Sequence, residues 1–161
     1  MGLKRGLAHI RSFQGATNVE IAYVCDVDSD RAAEGAALAG NGQSKSPKVV
    51  GDFRTILEDP DVDILSIAAP NFWHAPATIL ACEAGKHVYV EKPGSYDPQE
   101  GEWMVDATRK YDRKVQQGTQ RRSYPSVIEG MAKIKGGAIG KVLYARTWYR
   151  NSRDGIGRGK P

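Results

Sequence analysis

The side chains of this sequence best placed to do chemistry stand at the ends of apolar runs. Val90-Glu91-Lys92-Pro93 closes one run, and Ala69-Pro70-Asn71-Phe72-Trp73-His74 closes another. In open parallel sheets, ligands bind beyond the carboxyl ends of the strands, so both stretches point at one crevice. A lysine fixed there has a definite use. Removing hydride from a carbinol carbon requires the hydroxyl proton to leave, and an ammonium beside that oxygen stabilises the developing negative charge. In isolation Lys92 is an ordinary solvated lysine. Its place at a strand end, with Asn71 and His74 on the neighbouring loop, makes it the candidate catalytic group.

The first residues suggest where a nucleotide binds. Gly2-Leu3-Lys4-Arg5-Gly6 resembles the back portion of a glycine-rich dinucleotide turn, where backbone N–H groups approach a pyrophosphate at the positive end of a helix. The G-x-G-x-x-G spacing is incomplete, and Gly2 and Gly6 alone are equally a plain loop. Asp26 strengthens the reading. It lies twenty residues beyond Gly6 at the end of an apolar run, where an acid can accept hydrogen bonds from the adenosine ribose. The same acid could simply cap a helix or sit in a loop. An acid there repels a 2′-phosphate, so NAD is the expected cofactor, with Arg31 and Ser29 leaving NADP open.

These residues need a frame. Short β-branched runs alternate with helix-like stretches, the pattern of a parallel sheet with helices on its faces. Helix is expected over 6–14, closed by Gly15, then strand over 19–25, and a helix capped by Asp30 and running towards Gly40. A polar loop (41–47), a short strand at Val49-Val50 and a short helix (53–58) lead to the break Asp59-Pro60-Asp61. Residues 62–68 read as a buried strand and 75–84 as helix, with Pro76 in its first turn and Gly85 as a left-handed stop. Strand 87–90, helix 98–111, strand 114–118 and helix 126–135 follow, the last ended by Gly136-Gly137. Residues 141–149 alternate as a strand does, and the Gly/Arg-rich 151–161 carry no element. The fold class is therefore α/β, a doubly wound parallel sheet. Such a domain reaches its glycine turn on a strand, and here the glycines come first, so a first strand before Met1 is expected.

Composition bounds the rest. The 161 residues suffice for one ordinary domain with a core. No apolar run approaches the roughly 20 residues that span a bilayer. Nothing after Met1 resembles an export signal, which favours the cytoplasm. Cys25 and Cys82 lack partners at metal-ligand spacing and read as packed thiols, so neither metal nor disulfide is implied. The net charge of +4 hides an asymmetry: residues 1–108 hold 9 Lys/Arg against 16 Asp/Glu (−7), and residues 109–161 hold 14 against 3 (+11). The basic end could meet an anion, but no nucleic-acid motif accompanies it, and acidic surface or water accounts for it more simply.

Strand-Pro70-Asn71-x-x-His74, followed by Gly85-Lys86-His87-Val88-Tyr89-Val90-Glu91-Lys92-Pro93, resembles the signature of the Gfo/Idh/MocA oxidoreductases over nearly the whole chain. The resemblance implies a Rossmann-like NAD(P)-binding domain over 1–124 and, over 125–161, the start of a substrate and oligomerisation domain. It places Lys92 beside the nicotinamide and substrate, with Glu91 in support and Pro93 shaping the turn, often through a cis peptide in relatives. Pro70, Asn71 and His74 match positions that line the cofactor. Gly118-Thr119-Gln120-Arg121-Arg122-Ser123 resembles the segment that meets cofactor and substrate, implying cofactor contact by Gln120 and substrate contact by Arg122, although the arginines suit an interface equally well. His9 and His87 read as structural.

The family's catalytic histidine, often preceded by an acid, belongs to a second α/β domain with no counterpart here. The fragment alone is therefore expected to bind nucleotide feebly and catalyse nothing. For the full-length parent the resemblance implies a homo-oligomer that moves hydride between NAD(P) and a secondary hydroxyl of a sugar, inositol or related polyol. The stretch from Trp148 to Pro161 resembles a bacterial subgroup with an exported habit, which keeps a periplasmic parent open. Two alternatives stand beside this: an NAD-dependent glycoside hydrolase of the same family, and a non-catalytic nucleotide-binding or basic interaction module.

Overall fold

The computed structural model describes residues 1–150 and Ser152. The chain forms two compact units, Met1–Thr119 and the segment from Gln120 onward, each described by itself. The first holds five strands: β1 (Tyr23–Cys25), β2 (Lys48–Val50), β3 (Ile64–Ile67), β4 (His87–Glu91) and β5 (Val115–Gly118). All pairings are parallel, in one ladder β1-β2 and another β3-β4-β5. Backbone bonds from Met1 and Gly2 join them: Met1 N donates to Ser66 O (2.6 Å), Ala68 N donates to Met1 O (2.8 Å), and Gly2 N donates to Cys25 O (2.9 Å). The first two residues thus lie between β1 and β3.

Helices cover both faces, as β-α alternation requires. On one face, α1 (Leu3–Gln14) packs on α2 (Ser29–Gly40), closing a small core of Leu3, Ile10, Val24, Ala32 and Ala39. A Cβ at Gly35 would lie 2.7 Å from Leu3 Cδ1, so a larger residue there would make the Leu3 side chain shift. On the other face lie the short α3 (Arg54–Leu57), α4 (His74–Glu83) and α5 (Pro98–Lys110), around a larger core that includes Leu65, Ile67, Val88, Val90 and Met104. Strand alternation distributes β1 between the two, with Val24 in the first core and Cys25 in the second. Cys25 and Cys82 are free buried thiols. In α5 the Asp97 carboxylate accepts Glu100 N (2.9 Å) while Glu100 accepts Tyr96 N (2.8 Å), a reciprocal cap followed by Pro98 in the first turn.

The second unit begins with a 3₁₀ turn (Gln120–Ser123) and α6 (Pro125–Lys135), which ends at Gly136 and the left-handed Gly137.

Several sequence expectations are corrected. The first helix starts at Leu3, so Gly6 is a helical residue rather than part of a turn. The strand expected over 19–25 shrinks to Tyr23–Cys25, because a side chain substitutes for a neighbouring strand: Gln43 accepts Ile21 N and donates to Ile21 O, both at 2.9 Å. The cap of α2 is Asp28, not Asp30; its Oδ1 accepts Asp30 N and Arg31 N. A 3₁₀ turn over Asn71–Trp73 precedes α4, which starts at His74. Residues 141–149 form no strand, as they are exposed and have no ladder partner among the described residues. The reading of 151–161 as elementless, and the last part of the exported-subgroup resemblance, fall outside the described residues apart from Ser152. No helix among the described residues is long and apolar enough to cross a membrane.

Candidate functional site

The carboxyl ends of β1 and β3 open into a cleft of about 1040 Å³. Gly2, Lys4 and Arg5 border it from the start of α1, Asp26 and Val27 from the end of β1, Asp52 and Phe53 from the loop after β2, Arg54 from the start of α3, and Ala69, Pro70, Phe72 and Trp73 from the segment after β3. Its wall is largely apolar but includes Lys4, Arg5, Asp26 and Arg31, the make-up of a site for an organic ligand that carries charge.

Gly2 brings backbone to the cleft where a side chain could not stand. Its φ is +80°, and a Cβ would fall 2.4 Å from Ala69 N. No side chain caps α1 at Gly2. Asp26 caps the first N–H of α1 from the end of β1, and Lys4 and Arg5 beside the helix start supply the positive charge that favours an anionic group in the cleft. The Asp26 carboxylate is already engaged: Oδ2 accepts Leu3 N at 2.6 Å and Oδ1 accepts Asp28 N at 3.1 Å. Each oxygen keeps a lone pair for a further donor such as a ribose hydroxyl. Arg31 is ion-paired with Asp28 at 3.5 Å.

His74 is buried and holds two loops together. Its Nδ1 faces Pro93 O at 2.5 Å and its Nε2 faces Ala69 O at 2.9 Å, so the loops after β3 and β4 share one imidazole. Packed in this way, His74 reaches the cleft only through the backbone it positions. Pro70 is a cleft residue. Asn71 opens the 3₁₀ turn next to it.

Glu91 ends β4 with its side chain only 8% exposed. Oε1 receives Arg5 Nε and faces His9 Nε2, both at 3.2 Å, and Oε2 accepts Lys92 N at 3.2 Å. Burial alone would raise this carboxyl; the bonds from His9, Arg5 and the Lys92 amide outweigh burial and hold it below the ordinary glutamate value. The exposed Lys92 follows, joined to Pro93 by a cis peptide bond. Lys92 lies on the same carboxyl edge of the strands as Asp26 but outside the walls of the 1040 Å³ cleft. Gln120 and Arg122 belong to the second unit, within its 3₁₀ turn.

Sequence reasoning set His9 aside as structural, and the structure puts it against Glu91. The available signal was its spacing, since Arg5 and His9 are four residues apart and so share a helix face. His87 keeps a structural place, its Nδ1 accepting Lys114 N at 2.9 Å. The aromatic wall of Phe53, Phe72 and Trp73 had no pattern in the chain to announce it.

A family model described as an oxidoreductase family with an NAD-binding Rossmann fold matches residues 1–119. Levoglucosan dehydrogenase of Pseudarthrobacter phenanthrenivorans is 35% identical over 126 residues, covering 78% of this chain and 31% of that protein. A glycosyl hydrolase family 109 protein of Shewanella is 27% identical over 152 residues, covering 91% of this chain and 33% of its own length. The crystal structure of myo-inositol 2-dehydrogenase from Lactobacillus plantarum superposes with a TM-score of 0.79 at 26% identity, over 89% of this chain and 42% of that one. The chain thus spans about a third of the length of these curated relatives.

Proposed function

This chain belongs to the Gfo/Idh/MocA family of NAD-binding oxidoreductases, and from that premise we propose that the full-length protein moves hydride between NAD and a secondary hydroxyl of a sugar, inositol or related polyol. The observation that carries this reading is the strand-end cleft in which a side-chain-free Gly2 and the helix start face Asp26. These residues fit a dinucleotide: Gly2, Lys4 and Arg5 would hold the pyrophosphate, and Asp26 the adenosine ribose. The carboxylate of Asp26 disfavours a 2′-phosphate. Arg31 lines the cleft and its 3.5 Å pair with Asp28 is solvent-exposed, so it keeps NADP open as the lesser alternative to NAD. The bound cofactor supplies the hydride acceptor.

In this reading Lys92 donates a hydrogen bond to the substrate oxygen and stabilises its negative charge as the hydroxyl proton passes to the family's catalytic histidine, which the full-length protein would supply. Glu91 fixes the backbone that carries Lys92, and His74 ties that loop to Pro70 and Asn71, which border the cofactor. Gln120 is assigned to the cofactor and Arg122 to the substrate. Residues 1–124 form the nucleotide domain, and 125–161 open a substrate and oligomerisation domain.

The test has two parts. NADH titrated into the chain should give saturable energy transfer from its tryptophans, tighter than for NADPH. In the full-length protein, Lys92→Ala should keep NADH affinity within about threefold while turnover falls by roughly 10²–10⁴. Absence of saturable binding, or full turnover in Lys92→Ala, would overturn the proposal.

A second reading is favoured by the 91% of the chain that aligns with the family 109 glycosyl hydrolase. There the same cleft would hold NAD for transient use during glycoside cleavage. Sugar release without net NADH accumulation would select it.

A further inference from the structure

His9 makes contacts that its place within a helix does not foretell. From α1 it reaches the sheet: Nδ1 lies 2.8 Å from Ser66 Oγ on β3 and Nε2 lies 3.2 Å from Glu91 Oε1 on β4. Its ring meets Tyr89 edge-on, with centroids 5.2 Å apart and planes at 83°. The side chain is 11% exposed. A carboxylate only accepts, so Nε2–H donates to Glu91, while the Ser66 hydroxyl, able to donate or accept, pairs with Nδ1. The other oxygen of Glu91 takes the Lys92 N–H. A continuous route therefore runs from Ser66 through His9 and Glu91 to the backbone of Lys92.

We propose that His9 is a positioning residue that fixes the Glu91 carboxylate, and through it the Lys92 backbone, relative to the helix that begins at the cleft. Arg5 reaches the same Glu91 oxygen from the same helix, but it is 55% exposed, so water screens and competes for that bond. His9 is the buried member of the pair and its bond is the stiffer constraint. The ionisable groups around it are Arg5 from α1 and Glu91 and Tyr89 from β4, with the neutral hydroxyl of Ser66 from β3. That Lys92 faces substrate rests on the proposed function; the clamp on its backbone does not.

Three variants of the 161-residue chain, followed by ¹H–¹⁵N NMR, separate positioning from mere packing. His9→Phe keeps an aromatic ring against Tyr89 and removes both bonds. His9→Gln returns a donor and an acceptor without the ring. Ser66→Ala removes only the hydroxyl. The Lys92 amide shift follows the titration of Glu91, and its hydrogen exchange follows the opening of that bond. In His9→Phe the Glu91 midpoint should rise by about one pH unit. Exchange at Lys92 should quicken about tenfold while the core amides of Val88 and Val90 hold. His9→Gln should recover at least half of both changes.

An unchanged midpoint and exchange in His9→Phe overturns the proposal, as does a general loosening that His9→Gln fails to reverse. Should His9→Phe not fold, Ser66→Ala decides: a smaller midpoint rise of the same sign supports the clamp, and no rise overturns it. None of these readings uses cofactor, so failure of NADH to bind would sink the proposed function and leave this result standing.

Discussion

Asp26 Oδ2 accepts the backbone N–H of Leu3 at 2.6 Å, tying the acid at the end of β1 to the first residue of α1. The group proposed to hold ribose also holds the helix whose start would face the pyrophosphate. Asp26→Ala should therefore weaken two properties together. A charged hydrogen bond to a part-buried amide is worth about 1.5–3 kcal/mol, and urea denaturation should show a loss of that size. NADH affinity should fall at least tenfold, and the NADH-over-NADPH preference should shrink.

Gly2→Ala should be more damaging than a usual glycine substitution. It combines a φ of +80° with a Cβ 2.4 Å from Ala69 N, a backbone atom that cannot turn aside. A loss of about 2–4 kcal/mol is expected from the strain and clash, with NADH binding abolished. Thermal unfolding and the energy-transfer titration check both.

His74→Phe keeps the buried volume but removes both ring nitrogens, leaving Pro93 O and Ala69 O without their shared partner. A neutral imidazole has a single N–H and donates to only one of these part-buried carbonyls at a time, and losing that bond costs about 1–3 kcal/mol. The variant should lose about 1–3 kcal/mol and show faster exchange in the loops after β3 and β4. Exchange confined to one of those loops would contradict the shared-staple reading.

Glu91 gives a pH signature. Because its native carboxyl is held below the ordinary value of 4.5, its stabilisation is complete above that pH and is lost as pH falls through the depressed native value. Glu91→Gln should therefore be less stable than the parent at pH 7, by about 1–3 kcal/mol, and the difference should narrow steadily below pH 4.5. Denaturant midpoints at pH 7 and at lower pH give the comparison, and a constant difference would count against the depressed carboxyl.

The local elements were legible because short-range chemistry writes them. The β-branched run at residues 62–68 contains β3, Pro98 opens α5, and Gly85, with φ +79°, stops α4 as a glycine there should. The Glu91-Lys92-Pro93 and Pro70-Asn71-x-x-His74 spacings announced the family, and the structure places them at the ends of the adjacent strands β4 and β3.

Tertiary structure alone decided which neighbour each polar group would meet. Gln43 pairs with Ile21 across 22 residues and shortens β1; His74 joins two loops; His9 finds Glu91 across 82 residues. The alternating strand at 141–149 failed for the same reason, because its pattern needs a ladder partner to become structure. A sequence records the hydrogen-bonding capacity of each side chain, but a buried donor takes whichever acceptor the folded chain brings within about 3 Å. That choice depends on packing between elements far apart in the chain.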